Sequence, residues 1–303
     1  MSVLRTWIVF QPSPSTAGVF HGDSCSTNCG WHDAMTITSW NEVPTVDRET
    51  RALMGVINLL PSRTVPHSFA NSPQSALLMA DRYRSGGIAY LDIGAQSSKY
   101  DAKRVTEADE LALLLPVVEL LAARAFMTCV ETWRPRVAEL CLEAGALIIN
   151  DTSGYRTQAM VDAVSRGSAS AVVCYKQGRR PGQVDHFDYS RATVADISDF
   201  LRREAERLRA CNVESVIVDP GVGISYPKED DSEYTSYQVR TICGLPEMAQ
   251  TSDCATLIAV PRRATIPEVV AFAVLAAESG ANILRVHDIE VAEAVSALGW
   301  LTR

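Results

Sequence analysis

The chain has 303 residues, 47% hydrophobic and 21% charged, enough for a sizeable core and unlike the composition of a fibrous or disordered protein. Its formal net charge of −8 excludes nucleic acid as the main partner, because neutralising phosphates needs a basic face. No apolar run approaches the roughly 20 residues a bilayer crossing needs.

Residues 1–50 are rich in Ser, Thr, Pro and Gly and show no sustained period, so they read as an irregular extension, disordered or loosely packed. Within it, Trp7-Ile8-Val9-Phe10 is too short for a signal-peptide core, and the sequence reads as cytoplasmic. His21, Cys25, Cys29 and His32 have near-ligand spacing, but the pattern matches no common zinc module and reads as part of the tail. The eight cysteines are scattered, with Cys129, Cys141 and Cys174 in apolar surroundings where a free thiol packs as a small hydrophobe; no disulfide framework is expected.

From residue 51 to 303 short apolar runs alternate with helix-period segments. The runs are Leu53–Asn58, Ile88–Gly94, Phe126–Glu131, Leu147–Asp151, Ala171–Lys176, Val216–Asp219, Thr256–Val260 and Asn282–His287. They are continuous rather than alternating, as parallel strands buried on both faces require. Pro135 opens a helix carrying Val137, Leu140 and Cys141 on one face before Gly145. Ile197, Phe200, Leu201 and Leu208 form another apolar face. Thr265-Ile266-Pro267-Glu268 is a capping box with proline in the first turn, and Gly280 follows the last apolar position. The sixth helix is the weakest, since Lys228–Tyr237 is acidic and polar. Eight such units in series predict an α/β fold, a closed (β/α)8 TIM barrel after the irregular extension, and no Gly-x-Gly-x-x-Gly turn follows the first strand to suggest a dinucleotide fold.

Chemistry in such barrels sits at the C-terminal strand ends. Those ends carry Asn58, Asp92, Glu131, Asn150 with Asp151, Lys176 with Gln177, Asp219, Arg262 with Arg263, and Arg285 with His287. A single polar strand end caps a turn more often than it serves a site; eight on one rim predict a site. Asn150, Asp219 and Glu131 suit a flat heterocycle with ring N–H and amino donors, while Arg262, Arg263, Arg285 and His287 suit a diphosphate or similar anion. The mouth is expected to be acidic on one half and basic on the other.

These residues also carry a family resemblance. Met54-Gly55-Val56-Ile57-Asn58, Leu91-Asp92-Ile93-Gly94 with Ser97-Ser98-Lys99, and Cys129-Val130-Glu131-Thr132 follow one another in the order of the dihydropteroate synthase motifs. Ile148-Ile149-Asn150-Asp151-Thr152-Ser153-Gly154, Val218-Asp219-Pro220-Gly221-Val222-Gly223, Val260-Pro261-Arg262-Arg263 and Arg285-Val286-His287-Asp288 continue the series, one motif per strand. The chain resembles that family from about Leu53 to its end.

The resemblance implies a cytoplasmic, dimeric transferase that joins a pterin methyl diphosphate to p-aminobenzoate or another amine, releasing pyrophosphate with the help of Mg2+. It places the pterin on Glu131, Asn150, Asp219 and Arg263. It places the diphosphate on Asn58, Ser98, Lys99, Arg285 and His287, with the metal at Asn58, and gives catalytic roles to Asp92, Arg263 and His67. Several positions depart from the family pattern: Glu131 replaces aspartate, Arg263 replaces lysine, His67 replaces the aspartate that assists the metal, Pro261 replaces serine and Ile224 replaces an aromatic residue. An alternative is therefore a catalytically impaired pterin-binding paralogue with a regulatory or accessory role. Pterin-dependent methyl transfer on a related barrel is a third reading, against which the basic cluster counts.

Overall fold

The computed structural model describes residues 46–61, 65–88, 90–97, 104–178, 187–224, 231–261 and 265–302. The expectations for His21, Cys25, Cys29 and His32, and for Ser98, Lys99, Arg262 and Arg263, lie outside the described residues.

The eight apolar runs form β1 (Ala52–Asn58), β2 (Tyr90–Gly94), β3 (Met127–Glu131), β4 (Ile148–Asp151), β5 (Ser170–Cys174), β6 (Val216–Asp219), β7 (Ala255–Ala259) and β8 (Ile283–Val286). They pair in parallel in chain order, and β8 returns to β1 to close the barrel. Closure explains the continuous hydrophobicity. One set of side chains (Met54, Tyr90, Cys129, Ile148, Val172 and Ile217 among them) fills the interior, and the alternate set (Leu53, Leu91, Val130, Ile149, Val173, Val218) faces the helices.

Around the strands run α1 (Pro73–Ser85), α2 (Glu107–Ala123), α3 (Pro135–Glu143), α4 (Gln158–Arg166), α5 (Val194–Ala210), α6 (Asp231–Cys243), α7 (Leu245–Ser252), α8 (Ile266–Glu278) and α9 (Ile289–Ala297). The capping box at Thr265 forms as its sequence predicts, Thr193 makes another at α5, and the Thr106 and Thr157 hydroxyls cap α2 and α4 by accepting one backbone N–H each. Helix α3 buries Val137, Ala138 and Cys141, with Leu140 half-buried beside them.

Four details differ from the sequence reading. Strand β2 starts at Tyr90 rather than Ile88, because Ile88 N–H instead closes the end of α1 on Tyr83 O at 3.0 Å. Strand β5 ends two residues early, at Cys174, and β7 and β8 each end one residue early, at Ala259 and Val286. The sixth helix is continued by a separate α7, turned at Gly244, where a Cβ would lie 2.6 Å from Val194 of α5. Residues 46–50, assigned to the extension, are already tied to the barrel bottom. Val46 is buried, and the Asn282 side-chain amide donates to the carbonyls of Arg48 and Thr50. A backbone that meets buried polar groups of the barrel is held as firmly as a strand, whatever its composition.

Tyr83 of α1 ties the two ends of the sheet together. Its hydroxyl lies 3.0 Å from the carbonyl oxygens of both Val56 and His287. The ring fits because Gly55 has no side chain; a Cβ there would come 2.7 Å from it.

Candidate active site

The two-residue period of a strand decides what reaches the barrel mouth. Tyr90, Cys129, Ile148, Val172, Ile217 and Ile283 point into the interior, so two residues further on Asp92, Glu131, Asn150, Cys174, Asp219 and Arg285 point the same way one layer higher. The polar strand ends thus stack on the apolar plug. They are deeply buried: Asp92 is 0%, Asn150 2%, Asp219 5% and Glu131 7% exposed.

Arg285 is the hub. Its Nε donates to Asp92 Oδ2 at 2.5 Å and its Nη2 to Glu131 Oε2 at 2.8 Å. Burial opposes the guanidinium charge, but Asp92 and Glu131 outweigh it and hold its pKa above the ordinary value. Asn150 Nδ2 donates to the same Asp92 oxygen at 3.2 Å, which leaves Asn150 Oδ1 and Asp92 Oδ1 buried without a hydrogen-bond partner in protein. The Cys129 thiol packs beside Asp92; burial first, then that carboxylate, raises its pKa.

Asp219 accepts Gly221 N–H at 2.7 Å. Burial pushes its carboxyl up to about 6, against the opposing pull of that N–H and of Arg285. Gly221 sits at φ +76°, and a Cβ there would come 2.3 Å from Tyr175 O, so only glycine allows the turn that aims Asp219. Asp151, next to Asn150, does other work: its oxygens accept Ser153 N–H and Tyr155 N–H at 2.8 and 3.0 Å, shaping the loop after β4.

A second group forms where β1 and β8 meet. Asn58 Nδ2 donates to Ser68 Oγ at 2.6 Å, and Ser68 Oγ lies 3.2 Å from His287 Nδ1. Ser68 is fully buried. Its neighbour His67 is exposed in the 3-10 turn Pro66–Ser68 and lines a groove with Arg82, His287 and Asp288. The residue of this loop that meets Asn58 is therefore Ser68.

Among the described residues no group of three or more His, Cys, Asp or Glu side chains is arranged to hold a metal. Asn58 offers one hard oxygen donor, because its amide nitrogen is turned to Ser68.

Two expectations change on this geometry. Among the described residues the mouth does not divide into acidic and basic halves, since Arg285 pairs with Asp92 and Glu131. Gln177 braces the loop after β5 instead of facing the site, exchanging hydrogen bonds with the backbone of Asp188 at 2.7 and 2.9 Å. The sequence reading also passed over Ser68 and over the brace behind Glu131. In that brace buried Glu110 of α2 accepts from Thr132 Oγ1 at 2.8 Å and pairs with Arg134. The Thr132 N–H, bonded to Asn150 O at 3.1 Å, then sets the ends of β3 and β4 level. A lone Glu in a helix gives no sequence signal of such a role.

The family model described as pterin binding enzyme matches residues 54–287, the span from β1 to the end of β8. The chain belongs to the pterin binding enzyme family. Among its curated relatives, the dihydropteroate synthase of Neisseria meningitidis serogroup B is 25% identical over 255 residues, covering 78% of this chain and 88% of that protein. Among solved structures, the Thermus thermophilus dihydropteroate synthase in complex with 4-aminobenzoate superposes with a TM-score of 0.68 at 26% identity, covering 84% of this chain and 95% of that one. The Burkholderia cenocepacia enzyme complexed with 7,8-dihydropteroate gives 0.66 at 29% identity, covering 83% and 91%.

Proposed function

We propose that this barrel transfers the methylene of a pterin methyl diphosphate to p-aminobenzoate or another arylamine, releasing pyrophosphate, as a dihydropteroate synthase does. The observation that carries the reading is the buried Asn150 Oδ1, left without a donor among the described residues beside the Asp92 carboxylate, whose Oδ1 is equally unpaired. Unpaired buried acceptors are costly, and the amino and ring N–H groups of a pterin edge would satisfy them.

The reaction breaks the bond between the pterin methylene and the diphosphate oxygen, and the electron pair leaves with pyrophosphate. The arylamine nitrogen then bonds the methylene and loses one proton. Positive charge developing on the pterin is stabilised by the buried carboxylates around Arg285, of which Asp92 is in place without touching solvent. Asn58 and His287, linked through Ser68, take the leaving-group side. Mg2+, when bound with the diphosphate, would add Lewis-acid stabilisation of the leaving group, with the Asn58 amide oxygen as its protein ligand. A cytoplasmic homodimer is part of the same proposal, carried over from the family resemblance.

Purified protein incubated with 6-hydroxymethyl-dihydropterin diphosphate, Mg2+ and p-aminobenzoate tests the reading. Release of pyrophosphate together with a pterin–arylamine adduct is expected. Tight pterin binding with no release would overturn it in favour of a binding protein without turnover.

A further inference from the structure

Lys176 lies two residues past the end of β5. Its strand neighbours of the same parity, Val172 and Cys174, sit in the barrel interior and beside Asp219 respectively. Tyr175 between them turns outward, packing edge-on against Phe200 at 5.4 Å and donating its hydroxyl to Arg191 O at 2.9 Å. The alternation therefore carries the Lys176 side chain inward, above Cys174, and the residue is only 3% exposed.

The ammonium at its tip has three donors to satisfy. Among the described residues, none accepts from Lys176 and no carboxylate forms an ion pair with it; only its own carbonyl is engaged, by Arg156 at 3.2 Å. The acids nearby are already occupied, Glu131 and Asp92 by Arg285 and one Asp219 oxygen by Gly221. Burial lowers the Lys176 pKa to about 8; among the charged groups around it, Glu131 favours the ammonium while Arg104 and Arg156 oppose it. No described residue accepts from the ammonium, so its hydrogen-bond partner is to be sought in what binds.

The closed strand order puts β5 opposite β1, away from Asn58 and the leaving-group side, and between β4 with Asn150 and β6 with Asp219. Lys176 therefore meets the ring and not the diphosphate. We propose that Lys176 is a ligand-contacting specificity residue: its ammonium donates to the carbonyl oxygen of the heterocycle whose N–H edge meets Asn150 and Asp219. The proposal rests on the heterocycle-binding reading above. It also has a counterpart in the sequence, because Arg263 stands where the family resemblance has lysine. A lysine from β5 would supply a point charge that the loop after β7 no longer carries.

A site built to donate to a ring carbonyl rejects an amino group in that place, donor against donor. Calorimetry at pH 7 with 6-hydroxymethylpterin and with its 2,4-diamino analogue, on the full chain and on Lys176→Met, reads this directly. The wild type is expected to prefer the oxo compound by roughly tenfold or more, and Lys176→Met to lose that preference. The loss should be equal for the bare and the diphosphate-bearing pterin, and wild-type affinity should fall above pH 8 while that of the variant does not. Should methionine not be tolerated in the fold, Lys176→Gln reads the same ratio. An unchanged ratio in a folded variant, or a loss confined to the diphosphate form, refutes the role of Lys176 alone. Failure of the wild type to bind either compound sinks the heterocycle reading, and this proposal with it.

Discussion

Arg285 reaches over β1 to donate Nε to Asp92 of β2 at 2.5 Å, and with the same guanidinium holds Glu131 of β3 at 2.8 Å. One cation from the last strand thus pairs with two buried acids of the second and third strands. Removing it leaves buried Asp92 without its cation, so Arg285→Met should destabilise the fold by about 3–5 kcal/mol. Urea denaturation measures this; a midpoint equal to wild type would mean the carboxylates are held by something else.

Asp219 sets the pH behaviour of the pocket. Its folded pKa, about 6, stands above the ordinary 3.8, so the folded state favours the neutral acid. The stabilisation from that preference is fully present below the ordinary value and is lost as pH rises to about 6. At pH 7 the buried charge costs about 3 kcal/mol. Asp219→Asn keeps an acceptor for Gly221 N–H, and is expected to be more stable than wild type at pH 7 but not at pH 3.5. Its pterin affinity should drop roughly ten- to hundredfold. Denaturation at the two pH values and calorimetry check both halves; equal stability at pH 7 contradicts the assignment.

The chain Asn58–Ser68–His287 belongs to the anion side. Ser68→Ala and His287→Ala should each weaken a diphosphate-bearing pterin by roughly tenfold and leave the bare pterin nearly unaffected. Combined, they should cost less than the sum, since both break one linkage. Equal losses for the two ligands would make this linkage a structural one.

Gly55→Ala should cost about 1–3 kcal/mol, because the added methyl would press on the Tyr83 ring at 2.7 Å. Differential scanning calorimetry would show a fall of several degrees. An unaltered Tm would mean that α1 slides without penalty.

Much of this was legible in the chain. Eight apolar runs with polar ends give the barrel and its rim, because hydrophobic period and strand parity are local properties. Pairing across the closed sheet is not local. The arginine grouped with the anion-binding residues by its place in the sequence stands next to Asp92, since closure brings β8 back to β1. Lys176 read as one more polar strand end, and its lack of a partner depends on the engagement of Glu131, Asp92 and Asp219, residues up to 84 positions away. Ser68 and Glu110 carried no signal for a related reason. A serine in a loop and a glutamate in a helix are ordinary until the fold buries them.

The Tyr83 phenol has a consequence beyond packing. One proton shared between Val56 and His287 makes the beginning and the end of the chain answer to each other through α1. A ligand drawing His287 inward would tug the strand that carries Asn58, so the two grips on the anion would tighten or slacken in concert, like jaws on a single pivot.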